Sequence, residues 1–288
     1  MRVDPLPMLA LSALLAWSLV FAPASQAREV ATQTKRPLIV RSHVAAPRTI
    51  GAFRLKEAKY DPAQKAAGAM FRYAAVPEPE LGADVFVYPA GRQPQAEAIK
   101  RGMVDFREGL QAAQQAGYYR NLEISGEVAF PLSATASAAP AGDKLGAIVA
   151  AAEPVGSRID MTFDAGNTGI PYRSRGYLFY QHLYFYKVRV SVPVEAMDAE
   201  SFGEFADHTA RTLVSRIDTI NIGGCGDAPV YFDNKADTDT AAMALITQVA
   251  QRNQENCRSK IDEAELAKLT QGADTVTIEY SADEWGGQ

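Results

Sequence analysis

Alternating apolar and polar residues predict β-strands along most of the chain. In residues 122–130, Leu122, Ile124, Val128 and Phe130 share one side of an extended chain and polar residues take the other. Residues 184–192 alternate in the same way. The remaining strands are expected at residues 38–44, 49–55, 69–73, 84–88, 158–163, 177–180 and 276–280.

Apolar residues at every third or fourth position predict a long helix over residues 95–116. Gly117 is a natural end for this helix, because glycine favours the backbone conformation that stops a helix. The apolar positions that define it are Ile99, Met103, Phe106, Leu110 and Ala113.

The same spacing predicts two more helices in the second half, over residues 202–222 and 239–256. Ser201 with Glu204 would cap the first one, and Gly223-Gly224 would end it. A further short helix is expected up to Leu269, capped by Ser259 with Asp262.

These elements predict an α+β protein. Strands with one apolar and one polar side are typical of antiparallel sheets with one partly solvated face, and long amphipathic helices would pack on the other face. The helices come singly between groups of strands, which disfavours a doubly wound parallel sheet. Residues 131–142 are rich in Ala, Ser and Pro, so we expect one domain over 28–288 with a long loop there; the alternative is two domains, 37–130 and 143–288.

The N-terminus has the pattern of a secretory signal peptide. Residues 8–21 form an apolar run of 14 residues, shorter than the about 20 that span a membrane. Ser25 and Ala27 are the small residues expected before a cleavage site at Arg28. Residues 1–27 are thus predicted to be removed, with an uncleaved anchor as the alternative. The rest of the chain lacks a comparable apolar run, so we expect a soluble periplasmic or secreted protein without stable membrane insertion.

Composition and charge exclude several classes of protein. The 288 residues are 47% hydrophobic and 22% charged, which excludes a disordered chain or a coiled coil. The net charge is −5, so a nucleic-acid partner is not expected, because phosphate-backbone binding needs a basic surface. With two cysteines and three scattered histidines we expect neither a metal site nor another cofactor.

The two cysteines, Cys225 and Cys257, are predicted to form a disulfide, because an even count in an exported chain favours pairing. Free or catalytic thiols are the alternative, although the Cys-x-x-Cys spacing of redox proteins is absent. Since each cysteine follows a predicted helix, the bridge would place the two helices side by side and roughly parallel.

The densest aromatic segment, residues 176–190, carries the candidate binding residues. Lys187 and Arg189, with Arg173 and Arg175 nearby, are expected to form cross-strand ion pairs with acidic residues on neighbouring strands. The alternative is that these cations form an anion-binding sheet face. The acids considered are Glu123, Glu127 and Asp160.

The histidines offer the only candidates for acid–base chemistry. His182 lies at a predicted hairpin turn, where it is either a turn residue or an acid–base group in an aromatic pocket. His208 is expected on the solvated side of its helix. Because the nucleophile elbow and the phosphate loop are both absent from the sequence, the catalytic residues stay unknown.

Two short motifs carry a resemblance to other proteins. Residues 85–89 (VFVYP) and 185–189 (FYKVR), each before a helix, resemble motifs of uncharacterised exported proteins of proteobacteria. With their helices they cover about a third of the chain. The resemblance implies a periplasmic α+β protein and carries no activity.

Two functional hypotheses follow. The first is a non-catalytic module of the cell envelope, a binding or accessory protein whose partner is an envelope protein or a small ligand. The alternative is a periplasmic hydrolase whose catalytic residues are scattered along the sequence.

Overall fold

The computed structural model describes residues 37–133, 154–227 and 237–285. All of them belong to one compact unit, Lys35–Gln288. The predicted signal peptide and most of the predicted loop at 131–142 lie outside the described residues. The described part is an α+β fold, as predicted, with one larger antiparallel sheet and one smaller mixed sheet.

The larger sheet has nine strands, and each of its pairs is antiparallel. The strands are β2 (Thr49–Ile50), β3 (Phe53–Tyr60), β4 (Ala69–Ala75), β5 (Gly82–Pro89), β6 (Tyr119–Ile124), β7 (Val128–Pro131), β8 (Val155–Ala165), β9 (Pro171–Gln181) and β10 (Tyr184–Pro193). The strand order is β2-β3-β4-β5-β10-β9-β8-β6, and β7 also pairs with β8. A short 3-10 helix, Pro62–Ala67, joins β3 to β4.

The smaller sheet has four strands in the order β12-β11-β1-β13. Here β11 and β12 pair in parallel, whereas β1 pairs antiparallel with both of its neighbours. The strands are β1 (Arg41–Pro47), β11 (Asp218–Ile222), β12 (Cys257–Arg258) and β13 (Ala273–Glu279).

Four α-helices lie within the described residues: α1 (Gln95–Gln115), α2 (Ala199–Val214), α3 (Thr238–Glu255) and α4 (Glu263–Leu269). The predicted helices at 95–116 and 239–256 are thereby confirmed to within about one residue at each end. None of these helices is both long enough and apolar enough to cross the hydrocarbon core of a membrane.

The centre of the larger sheet is buried on both faces. One core cluster joins side chains of both sheets and of α2, and a second joins α1 to β8, β9 and β10. Two glycines allow α1 to approach: a Cβ on Gly102 would lie 2.6 Å from Leu178, and one on Gly176 would lie 2.5 Å from Phe106. The face of the larger sheet on which α1 packs (the α1 face) is solvated at β3 and β4, where Lys59 is exposed.

The predicted helix over residues 202–222 is wrong beyond Val214. The chain turns at Ser215, and Asp218–Ile222 is strand β11, which is buried because β1 and β12 pair with it on either side. The helix also begins earlier: Asp198 caps it by accepting from the backbone N–H groups of Glu200 and Ser201 at 3.0 and 2.9 Å. The predicted Ser201–Glu204 capping box is therefore also wrong.

Two other predicted elements differ in detail. The strand predicted over 122–130 is divided into β6 and β7, and both pair with β8. The short helix α4 is capped by Asp262, which accepts from the backbone N–H of Glu265 at 2.7 Å. Most of the other predicted strands are confirmed, although several extend further; residues 49–55 are divided between β2 and β3.

The disulfide between Cys225 and Cys257 is confirmed, with the Cα atoms 5.9 Å apart. The helix arrangement inferred from it is wrong, because Cys225 follows β11 rather than a helix. It lies in a short 3-10 helix, Gly224–Asp227, while Cys257 begins β12 directly after α3. The bridge therefore holds the end of α3 beside β11, where Asn221 is paired with Cys257.

Candidate functional site

The four candidate binding cations and His182 lie at three separate places. In the ladder between β9 and β10, Arg175 is paired with Val190 and Arg173 with Val192, so these arginines share the face that packs against α2. Lys187 and Arg189 point to the opposite face, because side chains alternate along a strand. His182 lies in the turn between the two strands. The structure thus does not bring the four cations onto one sheet face.

Arg175 is paired with carboxylates. Its Nε donates to Asp160 at 2.5 Å, and its Nη1 donates to Asp207 of α2 at 2.8 Å. Burial lowers the pKa of Arg175, but the hydrogen bonds of the two carboxylates outweigh burial and raise the pKa above its usual range. Tyr177 and Arg158 also donate to Asp207, at 2.6 and 2.8 Å. The ion-pair interpretation with Asp160 is confirmed for Arg175, which links the sheet to α2.

Arg173 has a structural contact as well. Its Nη1 donates to the backbone carbonyl of Met197 at 2.7 Å, which ties β9 to the segment that precedes α2. Arg175 is therefore paired with carboxylates, whereas Arg173 is held by a backbone carbonyl.

His182 lies at the two-residue turn between β9 and β10, as predicted, with positive φ angles at His182 (52°) and Leu183 (66°). Its Nδ1 is 3.1 Å from an oxygen of Asp218 and 3.4 Å from Tyr186 Oη. Burial raises the pKa of Asp218, but the hydrogen bond and charge of His182 outweigh this and lower it below the usual value. A carboxylate in this position can orient an imidazole, as acid–base catalysis requires.

Asn221 joins three elements beneath this turn, and the sequence analysis did not find it. Its side-chain amide donates to the carbonyls of His182 and Glu255, both at 2.8 Å. Its Oδ1 accepts from Ser42 Oγ at 2.7 Å. The residue is fully buried. It carries no sequence signal, since its segment also fits a helical pattern and a buried asparagine is evident only when its partners are known.

Lys187 lies among aromatic rings on the α1 face of the larger sheet. Its Nζ is 4.7 Å from the centre of the Phe86 ring, 5.2 Å from that of Phe106 and 5.7 Å from that of Tyr88. Burial lowers the pKa of Lys187, and the positive charge of Arg189 lowers it further. The rings stabilise the ammonium through their negative faces.

Arg189 is two residues further along the same face. Its guanidinium carbon is 4.8 Å from the centre of the Tyr119 ring and 5.2 Å from that of Phe163. Its Nη1 donates to Tyr119 Oη, and its Nε donates to Ser174 Oγ at 3.4 Å. We name these residues the aromatic–cation cluster: Lys187, Arg189, Phe86, Tyr88, Phe106, Tyr119 and Phe163.

The two cations of the aromatic–cation cluster lack carboxylate partners. Within the described ranges, no carboxylate oxygen lies within 4.0 Å of the Lys187 or Arg189 side-chain nitrogens. The nearest acid in the ladder is Asp84, which is opposite Arg189 on β5. Its carboxylate accepts from Arg72 Nε at 2.8 Å. The cluster therefore has two positive charges available to an anion.

The sequence predicted part of this cluster. Alternation over residues 184–192 places Lys187 and Arg189 on one face, and the apolar stripe of the first helix includes Phe106. The contributions of Tyr119 and Phe163 depend on the pairing of β8 with β6 and β9, which a single sequence does not specify.

Comparison with known proteins gives no family for the chain. No family model matches the sequence, and a search of the curated proteins found no relative. The described residues also contain no group of three or more His, Cys, Asp or Glu side chains placed to hold a metal ion.

Proposed function

We propose that this protein is a non-catalytic accessory protein of the cell envelope that binds an anionic ligand or partner at the aromatic–cation cluster. The observation that carries this proposal is the absence of a carboxylate within 4.0 Å of Lys187 and Arg189 in the described part of the chain. By contrast, Arg175 on the other face of the sheet is matched by Asp160 and Asp207.

Electrostatics supports binding of an anion. Lys187 and Arg189 are two residues apart on one strand, so their Cα atoms are about 7 Å apart. Two unit charges at that distance repel each other by about 2 kcal/mol at an effective dielectric constant of about 20. An anion between them relieves this repulsion, and the surrounding rings reduce screening by water.

Export to the periplasm supports the same role. The leader-like residues 1–27 and the resemblance of two motifs to exported proteobacterial proteins favour an envelope location, and the Cys225–Cys257 disulfide suits an oxidising compartment. Mass spectrometry of the native protein should give an N-terminus at Arg28 and thiols that resist alkylation until reductant is added. An intact Met1, or alkylation of both thiols without reductant, would contradict export.

The binding proposal is tested by charge reversal. The purified protein and its Lys187→Glu/Arg189→Glu variant are immobilised and exposed to envelope extract at low and high salt. We expect the wild type to retain a component that the variant does not, and that salt releases. Lys59→Glu is the matched control, because Lys59 is an exposed residue of β3 and pairs with Glu57. Equal retention by wild type and double variant discards the cluster as the binding site.

The contact between His182 and Asp218 favours a second candidate, a periplasmic hydrolase. The pair can act as an oriented base, although the ring contacts of His182 within the described ranges are Asp218 and Tyr186, and neither is a serine or cysteine nucleophile. Turnover of model esters or peptides that is lost in His182→Ala and kept in His208→Ala would establish this function over the first.

A further inference from the structure

We infer that the ligand group bound by the aromatic–cation cluster is a phosphate, held between Lys187 and Arg189. This inference rests on the proposed function, because it names the chemistry of the ligand at the same site.

The hydrogen-bonding groups of the cluster point to an acceptor-rich ligand. Lys187 makes no hydrogen bond to the rest of the described chain, so the three N–H groups of its ammonium are available. Arg189 uses Nη1 and Nε on Tyr119 and Ser174, which leaves Nη2. Tyr119 Oη accepts from Arg189, so its own proton can be donated. A ligand bound at the cluster therefore contacts hydrogen-bond donors and positive charges.

Charge favours phosphate over carboxylate. A phosphate monoester carries about −1.5 to −2 at neutral pH, whereas a carboxylate carries −1 and would compensate only one of the two cations. The terminal oxygens of phosphate also point in several directions. One group can therefore accept from the compact ammonium of Lys187 and from the planar guanidinium of Arg189 at once.

Asp84, an acidic residue beside the cluster, should weaken the binding of phosphate. Asp84 is opposite Arg189, and its carboxylate is held by Arg72, which also lies 3.4 Å from Glu57. Burial and the nearby charge of Asp105 on α1 both raise the pKa of Tyr88. Since Asp84 would repel a bound phosphate, Asp84→Asn should tighten binding. Asp84→Asn is thus a variant that should gain affinity for phosphate rather than lose it.

The test is calorimetric titration of the purified, oxidised protein with inorganic phosphate. We expect saturable binding that Lys187→Met weakens at least tenfold, because methionine keeps the apolar stem among the rings and removes the charge. Asp84→Asn should bind about two- to fivefold more tightly, and Lys59→Met should bind like the wild type. Acetate at equal ionic strength should not compete. Melting curves by circular dichroism establish that each variant is folded.

Vesicles separate the two sources of a phosphate group. The phosphate belongs to a lipid head group if the protein binds phosphatidic acid vesicles but not phosphatidylcholine vesicles. Inorganic phosphate should then displace the protein from the phosphatidic acid vesicles. If inorganic phosphate binds and the vesicles do not, the phosphate group belongs to a soluble ester.

Absence of saturable phosphate binding, or equal affinities of the wild type and Lys187→Met for phosphate, overturns the inference. If Lys187→Glu/Arg189→Glu still loses its envelope component in that case, the proposed function stands and only the phosphate assignment falls. If the component is also retained by the double variant, both fall.

Discussion

Replacement of Asn221 by alanine should strongly destabilise the protein. The buried amide makes three hydrogen bonds, to the carbonyls of His182 and Glu255 and from the hydroxyl of Ser42. Each such bond contributes about 1 kcal/mol net; Ser42 is fully buried, and the two carbonyls belong to half-buried residues, so loss of the amide leaves three polar groups with fewer hydrogen bonds. We therefore expect the free energy of unfolding to fall by about 3 kcal/mol, with a further contribution from the void left by the amide.

Asn221→Asp tests the same reasoning without a change in size. Aspartate replaces the N–H donor with an oxygen that faces the carbonyls of His182 and Glu255, and at neutral pH it also buries a charge. Its destabilisation should therefore equal or exceed that of alanine at pH 7 and become smaller in acid, where the carboxyl is protonated and can donate one hydrogen bond.

Urea unfolding followed by far-UV circular dichroism measures both variants. Asn253→Ala on the exposed side of α3 is the matched control and should change the free energy of unfolding by less than about 0.5 kcal/mol. A loss below about 1 kcal/mol for Asn221→Ala would refute the reasoning, because it would mean that the turn, the end of α3 and β1 are joined by other contacts.

Three further predictions concern stability. Asp207→Ala should cost about 3 to 5 kcal/mol in urea unfolding, since it leaves two partly buried arginines without that carboxylate; a loss like that of a surface residue would contradict this. The pKa of His43 is lowered by burial and then by the charge of Arg41, so the unfolded chain takes up a proton near pH 6.5 before the folded one does. The free energy of unfolding should therefore fall as the pH drops below about 6.5, and His43→Gln should make this dependence on pH weaker. An unchanged dependence on pH in the variant would refute the role of His43. Gly176→Ala in β9 should lower stability by about 1 to 3 kcal/mol because its Cβ would meet Phe106, whereas Gly109→Ala on the exposed side of α1 has open space and should be neutral or stabilising; the reverse order would contradict the packing of α1.

Much of the secondary structure is predictable because it depends on neighbours a few residues away. The helix Gln95–Gln115 and the hairpin of β9 and β10 follow from local periodicity and turn position, as does the shared face of Lys187 and Arg189. The helix prediction over 202–222 was wrong at Asp218–Ile222, where β-branched and apolar residues fit either periodicity and pairing with β1 decides for a strand.

The candidate site was only partly predictable, because charge compensation depends on residues far apart in the sequence. The partner of Arg175 on α2, Asp207, is 32 residues away, and α2 packs on the face away from Lys187 and Arg189. Among four cations close in sequence, the pairing of strands and the placement of helices gave Arg175 two carboxylate partners and Arg173 a backbone carbonyl. They left Lys187 and Arg189 without a carboxylate.

The sequence by itself determined the α+β class, the positions of the helices Gln95–Gln115 and Thr238–Glu255, and the cysteine pair, because local periodicity and a count of two cysteines leave few alternatives. Only the tertiary structure decided that β5 lies beside β10, that the disulfide holds α3 to a strand, and that Lys187 and Arg189 lack a carboxylate. These features arise from contacts between distant segments, and the free energy of such contacts depends on which surfaces meet.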